Sequence, residues 1–217
     1  MRCALLALTT GTVLAVGAPA GWFLAGGSEP ASFGGAAAQD LAAPPPAPAA
    51  LLVPESVGTS SARLSDVVTP RDPPVEVGVG GKRARLDAVG LDDERLVVIP
   101  EDVRRAGWYE PGAEPGADAG SAVLVGHVDD RTQGLGAFAV LRELSAGDEV
   151  TVRTASGEQL VYDVLSLEQF DKQEVPMDRL FTRSGPHRLV LISCAGAFDP
   201  STGSYSDNVV VTAVPRQ

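Results

Sequence analysis

The sequence from Val75 onward predicts an all-β fold, and three observations carry that prediction. Short apolar or alternating runs of strand length recur at residues 75–79, 83–89, 96–99, 122–128, 149–154, 160–167, 189–194 and 208–214. Turn-forming pairs stand between them, among them Gly80-Gly81, Gly147-Asp148 and Ser156-Gly157. Helical patterns are few. Eight short strands rich in Val and Leu at this spacing fit a barrel or a sandwich.

Each element follows from its local chemistry. Residues 75–79 and 83–89 are short strand-like runs separated by the turn signal Gly80-Gly81. Residues 122–128 and 189–194 are almost continuously apolar, as in buried strands. Three short helical pieces are expected: 101–106 after Pro100, 137–144 around Phe138, Leu141 and Leu144, and 177–181 after Pro176. There is no internal repeat.

Ahead of this domain, assigned to residues 75–217, lie two other segments. Residues 1–26 read as a signal anchor, a single-pass transmembrane segment: the stretch 3–25 carries no charge, follows Met1-Arg2, and ends with Trp22 and Phe23 at an interfacial position. The competing reading is a secretory signal cleaved near Ala20, after Ala18-Pro19-Ala20. Either way, the domain is expected outside the cytoplasmic membrane. Residues 27–74 are rich in Pro, Ala, Gly and Ser and have few aromatics, so they read as a disordered linker that buries too little surface to offset ordering entropy.

Composition narrows the function. The net charge of -11 leaves no basic stripe for a phosphate backbone, which argues against nucleic acid as a partner. Of the two cysteines, Cys3 lies in the apolar N-terminal run, so Cys194 is a lone thiol in the folded part. A lone cysteine is often a small buried hydrophobe. Its position points further: Cys194 ends the run Leu189-Val190-Leu191-Ile192-Ser193, and His127 ends Ala122-Val123-Leu124-Val125-Gly126. Side chains at strand ends are rigidly held and still reach solvent. An imidazole beside a thiol raises its reactive fraction and can later protonate a leaving amine. Cys194 and His127 are therefore the candidate nucleophile and acid/base. The second histidine, His187, lies in a turn.

These residues sit in recognisable surroundings. Ala106-Gly107-Trp108-Tyr109, Val123-Leu124-Val125-Gly126-His127-Val128-Asp129, Leu191-Ile192-Ser193-Cys194-Ala195-Gly196 and the ending Tyr205-Ser206-Asp207-Asn208-Val209-Val210-Val211 resemble the class F sortases of high-GC Gram-positive bacteria. The resemblance covers essentially the whole folded part. It implies an eight-stranded sortase-type β-barrel with a few short helices, preceded by a transmembrane helix and linker. It also implies a membrane-bound transpeptidase that cleaves a C-terminal sorting signal in a secreted protein. The acyl fragment is held as a thioester and passed to an amine on a cell-wall precursor or another protein. No metal or organic cofactor is implied. Cys194 matches the family nucleophile and His127 its histidine. The family's third residue, an arginine near the final strand, is missing: Ser206 stands at the expected place. Arg131, Arg188 or Asn208 are the candidates to replace it, and Asp129, two residues past His127, is a candidate to orient the imidazole.

Two other functions fit parts of the sequence. An L,D-transpeptidase also pairs histidine and cysteine, but Ser193-Cys194-Ala195-Gly196 lacks its second histidine beside the cysteine. A catalytically impaired, tethered peptide-binding module would account for the missing arginine. The carboxylates at Asp92-Asp93-Glu94 and Asp129-Asp130 lack the alternating ligand spacing of a calcium loop and read as solvated surface.

Overall fold

Apolar faces that alternate along short strands must be covered, and closing a sheet on itself covers one of them completely. The computed structural model describes residues 32–35 and 72–217. Among the described residues ten strands run in chain order: β1 Pro74–Val79, β2 Lys82–Val89, β3 Ala106–Tyr109, β4 Ser121–Gly126, β5 Asp129–Asp130, β6 Gly134–Leu135, β7 Glu149–Thr154, β8 Gln159–Asp171, β9 Arg188–Asp199 and β10 Ser204–Pro215. Eight of them close a barrel in the order β1-β2-β3-β4-β9-β10-β8-β7, while β5 and β6 form a separate two-stranded ribbon. The choice between barrel and sandwich is thereby resolved in favour of the barrel.

The barrel interior holds the larger apolar cluster, including Val77, Leu86, Trp108, Leu124, Phe138, Tyr162, Leu191 and Val211. Each fully buried Val, Leu or Phe side chain contributes about 1.5–3 kcal/mol. A second cluster lies on the outer face of the sheet, where Val123, Val125, Leu180, Val190 and Val210 meet Tyr109, Phe170, Val175 and Phe181. This explains the continuous apolar runs of β4 and β9. Their alternate side chains serve two cores. The β8–β9 connection that covers the outer cluster is fastened by Arg179 to the Glu168 carboxylate (3.2 Å), a largely buried pair.

Seven of the eight expected strands lie where the alternation places them, several of them longer than expected. The eighth does not. Residues 96–99 are largely solvent-exposed, with Leu96 at 59%, and contribute only a single bridge between Leu91 and Val97. Their place in the barrel is taken by β3, whose Ala106-Gly107 opening has little intrinsic strand preference. Gly107 is required there by proximity: a Cβ would stand 2.8 Å from Val89 and 3.1 Å from Val125, the neighbours on both sides. Of the helical pieces, 177–181 forms one turn at Met177–Leu180 and 137–144 forms turns ending in a 3₁₀ turn at Leu141–Glu143. Of residues 101–106, 101–105 form bends and turns instead of a helix and Ala106 opens β3. The Asp102 carboxylate accepts the Arg104 N–H and its carbonyl accepts the Arg105 N–H, closing the turn before β3.

The N-terminal apolar stretch 3–25 lies outside the described residues. Among the described residues no helix is long and apolar enough to cross a membrane. Within the stretch read as linker, residues 32–35 lie against β8. Phe33 exchanges backbone hydrogen bonds with Leu167 at 2.7 and 3.0 Å and packs against the barrel core. Its place is available because β7 pairs with β8 only as far as Asp163.

Candidate active site

Strand order brings the two sequence candidates together. β4 and β9 are parallel neighbours, and their register pairs Leu124 with Leu191 and Val125 with Ile192. Two residues further on each chain are His127 and Cys194. Just before that point, Ser193 Oγ donates to the Gly126 carbonyl at 2.9 Å, tying the two strand ends together. Both side chains line one cavity of about 710 Å³, with Asp129, Arg131, Phe198 and Tyr205 around them.

The histidine is fixed by its surroundings. Its backbone carbonyl accepts the Phe138 N–H at 3.0 Å, and the Val128 carbonyl accepts the Gly136 N–H at 2.9 Å. Its ring Nε2 lies 3.1 Å from the Pro100 carbonyl oxygen. A carbonyl can only accept, so Nε2 carries the hydrogen and Nδ1 is the nitrogen with a lone pair to offer. The exposed loop 96–99 leads directly into Pro100, which gives that loop a part in holding the ring.

Cys194 is a free, half-buried thiol. Burial pushes its pKa up, the positive charge of Lys172 pulls it back, and the Asp129 carboxylate pushes it up again. Directly after it comes a bulge: β10 pairs Tyr205 with Phe198 and Asp207 with Ala195, so Gly196 and Ala197 together face Ser206. Gly196 has φ +77, and a Cβ there would collide with Ser206 Oγ. That hydroxyl accepts the Ala197 N–H at 3.0 Å. Ser206 therefore has a structural use: it pins the bulge beyond the thiol, and it brings no positive charge.

The remaining sequence candidates separate clearly. Asn208 is directly opposite Cys194 in the β9–β10 ladder, so its side chain stands on the same face of the sheet. Arg131 lies in the turn between β5 and β6 and lines the cavity. Arg188 does not reach it. It opens β9 at the other end, six residues or about 20 Å of strand from Cys194, and is buried with Nε donating to Ser121 Oγ. Asp129 does not orient His127. Its carboxylate accepts the Tyr205 hydroxyl at 2.8 and 2.9 Å, joining the β5–β6 ribbon to the β9–β10 hairpin. Asp130, capped by Thr132 and Gln133, is held down to about 2. His187 is at the far end of the barrel, hydrogen-bonded to Tyr162 and to the Gly120 carbonyl.

Two residues around the thiol escape a reading of the sequence. Tyr205 appears there only as part of a motif, and its link to Asp129 spans 76 residues of chain. Lys172 has one available signal: the chain has only two lysines, and this one follows the end of β8.

Residues 86–216 match the sortase domain family. Similar solved structures include the complex of Streptococcus agalactiae sortase C1 and MTSET, at TM-score 0.51 and 18% identity, covering 65% of this chain and 66% of that one. Sortase C-1 from Actinomyces oris aligns at TM-score 0.50 and 21% identity, over 65% of this chain and 73% of that one. Sortase A from Corynebacterium diphtheriae aligns at TM-score 0.49 and 16% identity, over 68% and 62%. At such identities the likeness is one of fold, and this chain spans just under two thirds of the streptococcal chain's length. The curated proteins contain no match to it. The family match takes in more than half of the chain and both strand ends that carry His127 and Cys194, and on that ground the chain belongs to the sortase family.

Proposed function

We propose that this chain is a transpeptidase for sorting-signal peptides in which Cys194 is the nucleophile and His127 the acid/base. The observation that carries the reading is the parallel β4–β9 register, which delivers both side chains to one cavity. His127 Nδ1 takes the thiol proton as Cys194 Sγ attacks the scissile carbonyl carbon, and the carbonyl π electrons move to oxygen. When the tetrahedral species collapses, the C–N bond breaks and His127 gives a proton to the departing amine, leaving a thioester. An acceptor amine then attacks the thioester, His127 takes its proton, and the thiolate is released. With Nε2 held by Pro100, Nδ1 is the nitrogen that exchanges the proton.

The groups available to the developing oxyanion are the Asn208 amide and the Arg131 guanidinium. One oxyanion donor is typically worth about 10²–10³ in turnover. The narrower class F assignment rests on the motifs at 106–109, 123–129, 191–196 and 205–211, and the acceptor is an amine at the cell surface. The proposed setting is a membrane anchor at residues 3–25 that holds the domain outside the cell.

Cleavage of a sorting-signal peptide, compared with a muropeptide tetrapeptide as the alternative substrate, tests the reading. The expected result is peptide cleavage that both Cys194→Ala and His127→Ala abolish. Cleavage retained in Cys194→Ala, or turnover of the tetrapeptide alone, contradicts it.

A further inference from the structure

The thiol of Cys194 stands in unfavourable surroundings for a nucleophile. It is half-buried, and the carboxylates of Asp129 and Asp130 line the same cavity. Both effects disfavour the thiolate on which attack depends. Other groups near the cavity that can carry charge include His127, Arg131 and Tyr205 in its lining, Lys172 and Arg142 close by, and Asp207 opposite Ala195 in the β9–β10 ladder. Tyr205 donates to Asp129 and adds no positive charge.

Lys172 reaches the site through the sheet. β8 and β9 flank β10, and the ladders pair Phe170 with Asn208 and Asn208 with Cys194. Two residues past Phe170, the Lys172 N–H donates to the Ser206 carbonyl at 3.2 Å. The side chain then turns toward the cavity wall, where Nζ donates to Ser204 Oγ at 2.5 Å. Ser204 itself lines the cavity that holds Cys194 and His127. The backbone bond fixes where the lysine starts, and the hydroxyl fixes where the ammonium ends.

We propose that Lys172 is the electrostatic partner of Cys194: anchored on Ser204 at the cavity rim, its ammonium stabilises the negative charge that the sulfur must carry before attack. The proposal deepens the transpeptidase reading and rests on it for its catalytic consequence. Lys172 acts through space on the nucleophile, so it is a positioning residue for charge. The direction of its effect on the thiol, opposite to those of burial and Asp129, agrees with this role.

The test reads the thiol directly and needs no substrate. The rate of Cys194 alkylation by iodoacetamide, a neutral reagent, is followed against pH in the full chain, with peptide mass spectrometry separating Cys194 from Cys3. Lys172→Met should move the titration of Cys194 upward and slow alkylation at pH 7 about three- to tenfold, the effect of losing one nearby charge. Lys172→Arg should restore the wild-type profile. Ser204→Ala, which keeps the charge and removes its anchor, should give a smaller shift. The difference between wild type and Lys172→Met should shrink as salt is raised. A Lys172→Met profile that overlays the wild type, or a loss that Lys172→Arg does not rescue, overturns the proposal. Acyl transfer to a sorting-signal peptide, measured on the same proteins, separates the two claims. If wild type forms no acyl adduct while Lys172→Met still shifts the thiol, the transpeptidase reading fails and the electrostatic assignment stands. If wild type is active while the two thiol profiles coincide, the transpeptidase reading stands and the electrostatic assignment fails.

Discussion

Two facing hairpins wall the cavity, and a single phenol joins them. Tyr205 donates to Asp129, and its pKa is pushed up to about 12, first by burial and then by the neighbouring carboxylate. The sign follows from the contact: ionising Tyr205 would place a phenolate against Asp129 and remove the donor. Tyr162 is also pushed up to about 12, by burial, so spectrophotometric titration should show late-ionising phenols at Tyr162 and Tyr205. Asp129→Asn should bring one of them down and leave the other in place; two unmoved late phenols would show that the clasp is absent. At this scale Cys194 and His127 are legible in the sequence, because each ends an apolar run and chain position alone reveals a strand end. The partner of Asp129 is not. Spacing suggests the histidine two residues away, but the β5–β6 ribbon turns that carboxylate toward a tyrosine brought in by the last hairpin. Arg188 misleads for a similar reason: it is near Cys194 along the chain and at the opposite end of the strand.

Parallel pairing of β4 with β9 does most to assemble the site, since it brings two strand ends, and the groups just beyond them, to the same end of the barrel. β3 in turn supports β4. Gly107 lies between Val89 and Val125 with no room for a methyl group, so Gly107→Ala should destabilise the barrel by about 1–3 kcal/mol, measured by chemical denaturation. Unchanged stability would mean that β2 and β4 can separate without cost. The same strand shows what an alternation pattern omits. Residues 96–99 have the composition of a strand and no edge to pair with, whereas Ala106-Gly107 has weak propensity and a slot that only a small residue fits. Tertiary context decides both. The short alternating strands and the apolar strands are legible because their signal is periodic and local.

For the whole molecule, the end of the barrel opposite the site has its own fixed point. His187 is buried, its ring held between Tyr162 and the Gly120 carbonyl, and burial lowers its pKa. An unfolded histidine titrates near 6.5, so below that pH the unfolded chain binds a proton that the folded one resists. The stability from neutral His187 is therefore present above about pH 6.5 and declines as the pH falls toward the lowered native value. Thermal melts between pH 7.5 and 5 should show a larger loss for the wild type than for His187→Gln; equal slopes would contradict this role. Phe33 adds a contact between the N-terminal segment and β8, which composition alone does not reveal because one aromatic among Ala, Gly and Pro carries no periodic signal.

The central proposal is that Cys194 acts as a nucleophile beside His127. Intact-mass spectrometry of the protein incubated with a sorting-signal peptide library tests it most directly. The expected result is an acyl adduct that maps to Cys194, is released by hydroxylamine as a thioester must be, and is absent from Cys194→Ala. A folded wild-type protein that forms no adduct with any peptide of the library, or an adduct that persists in Cys194→Ala, would contradict it.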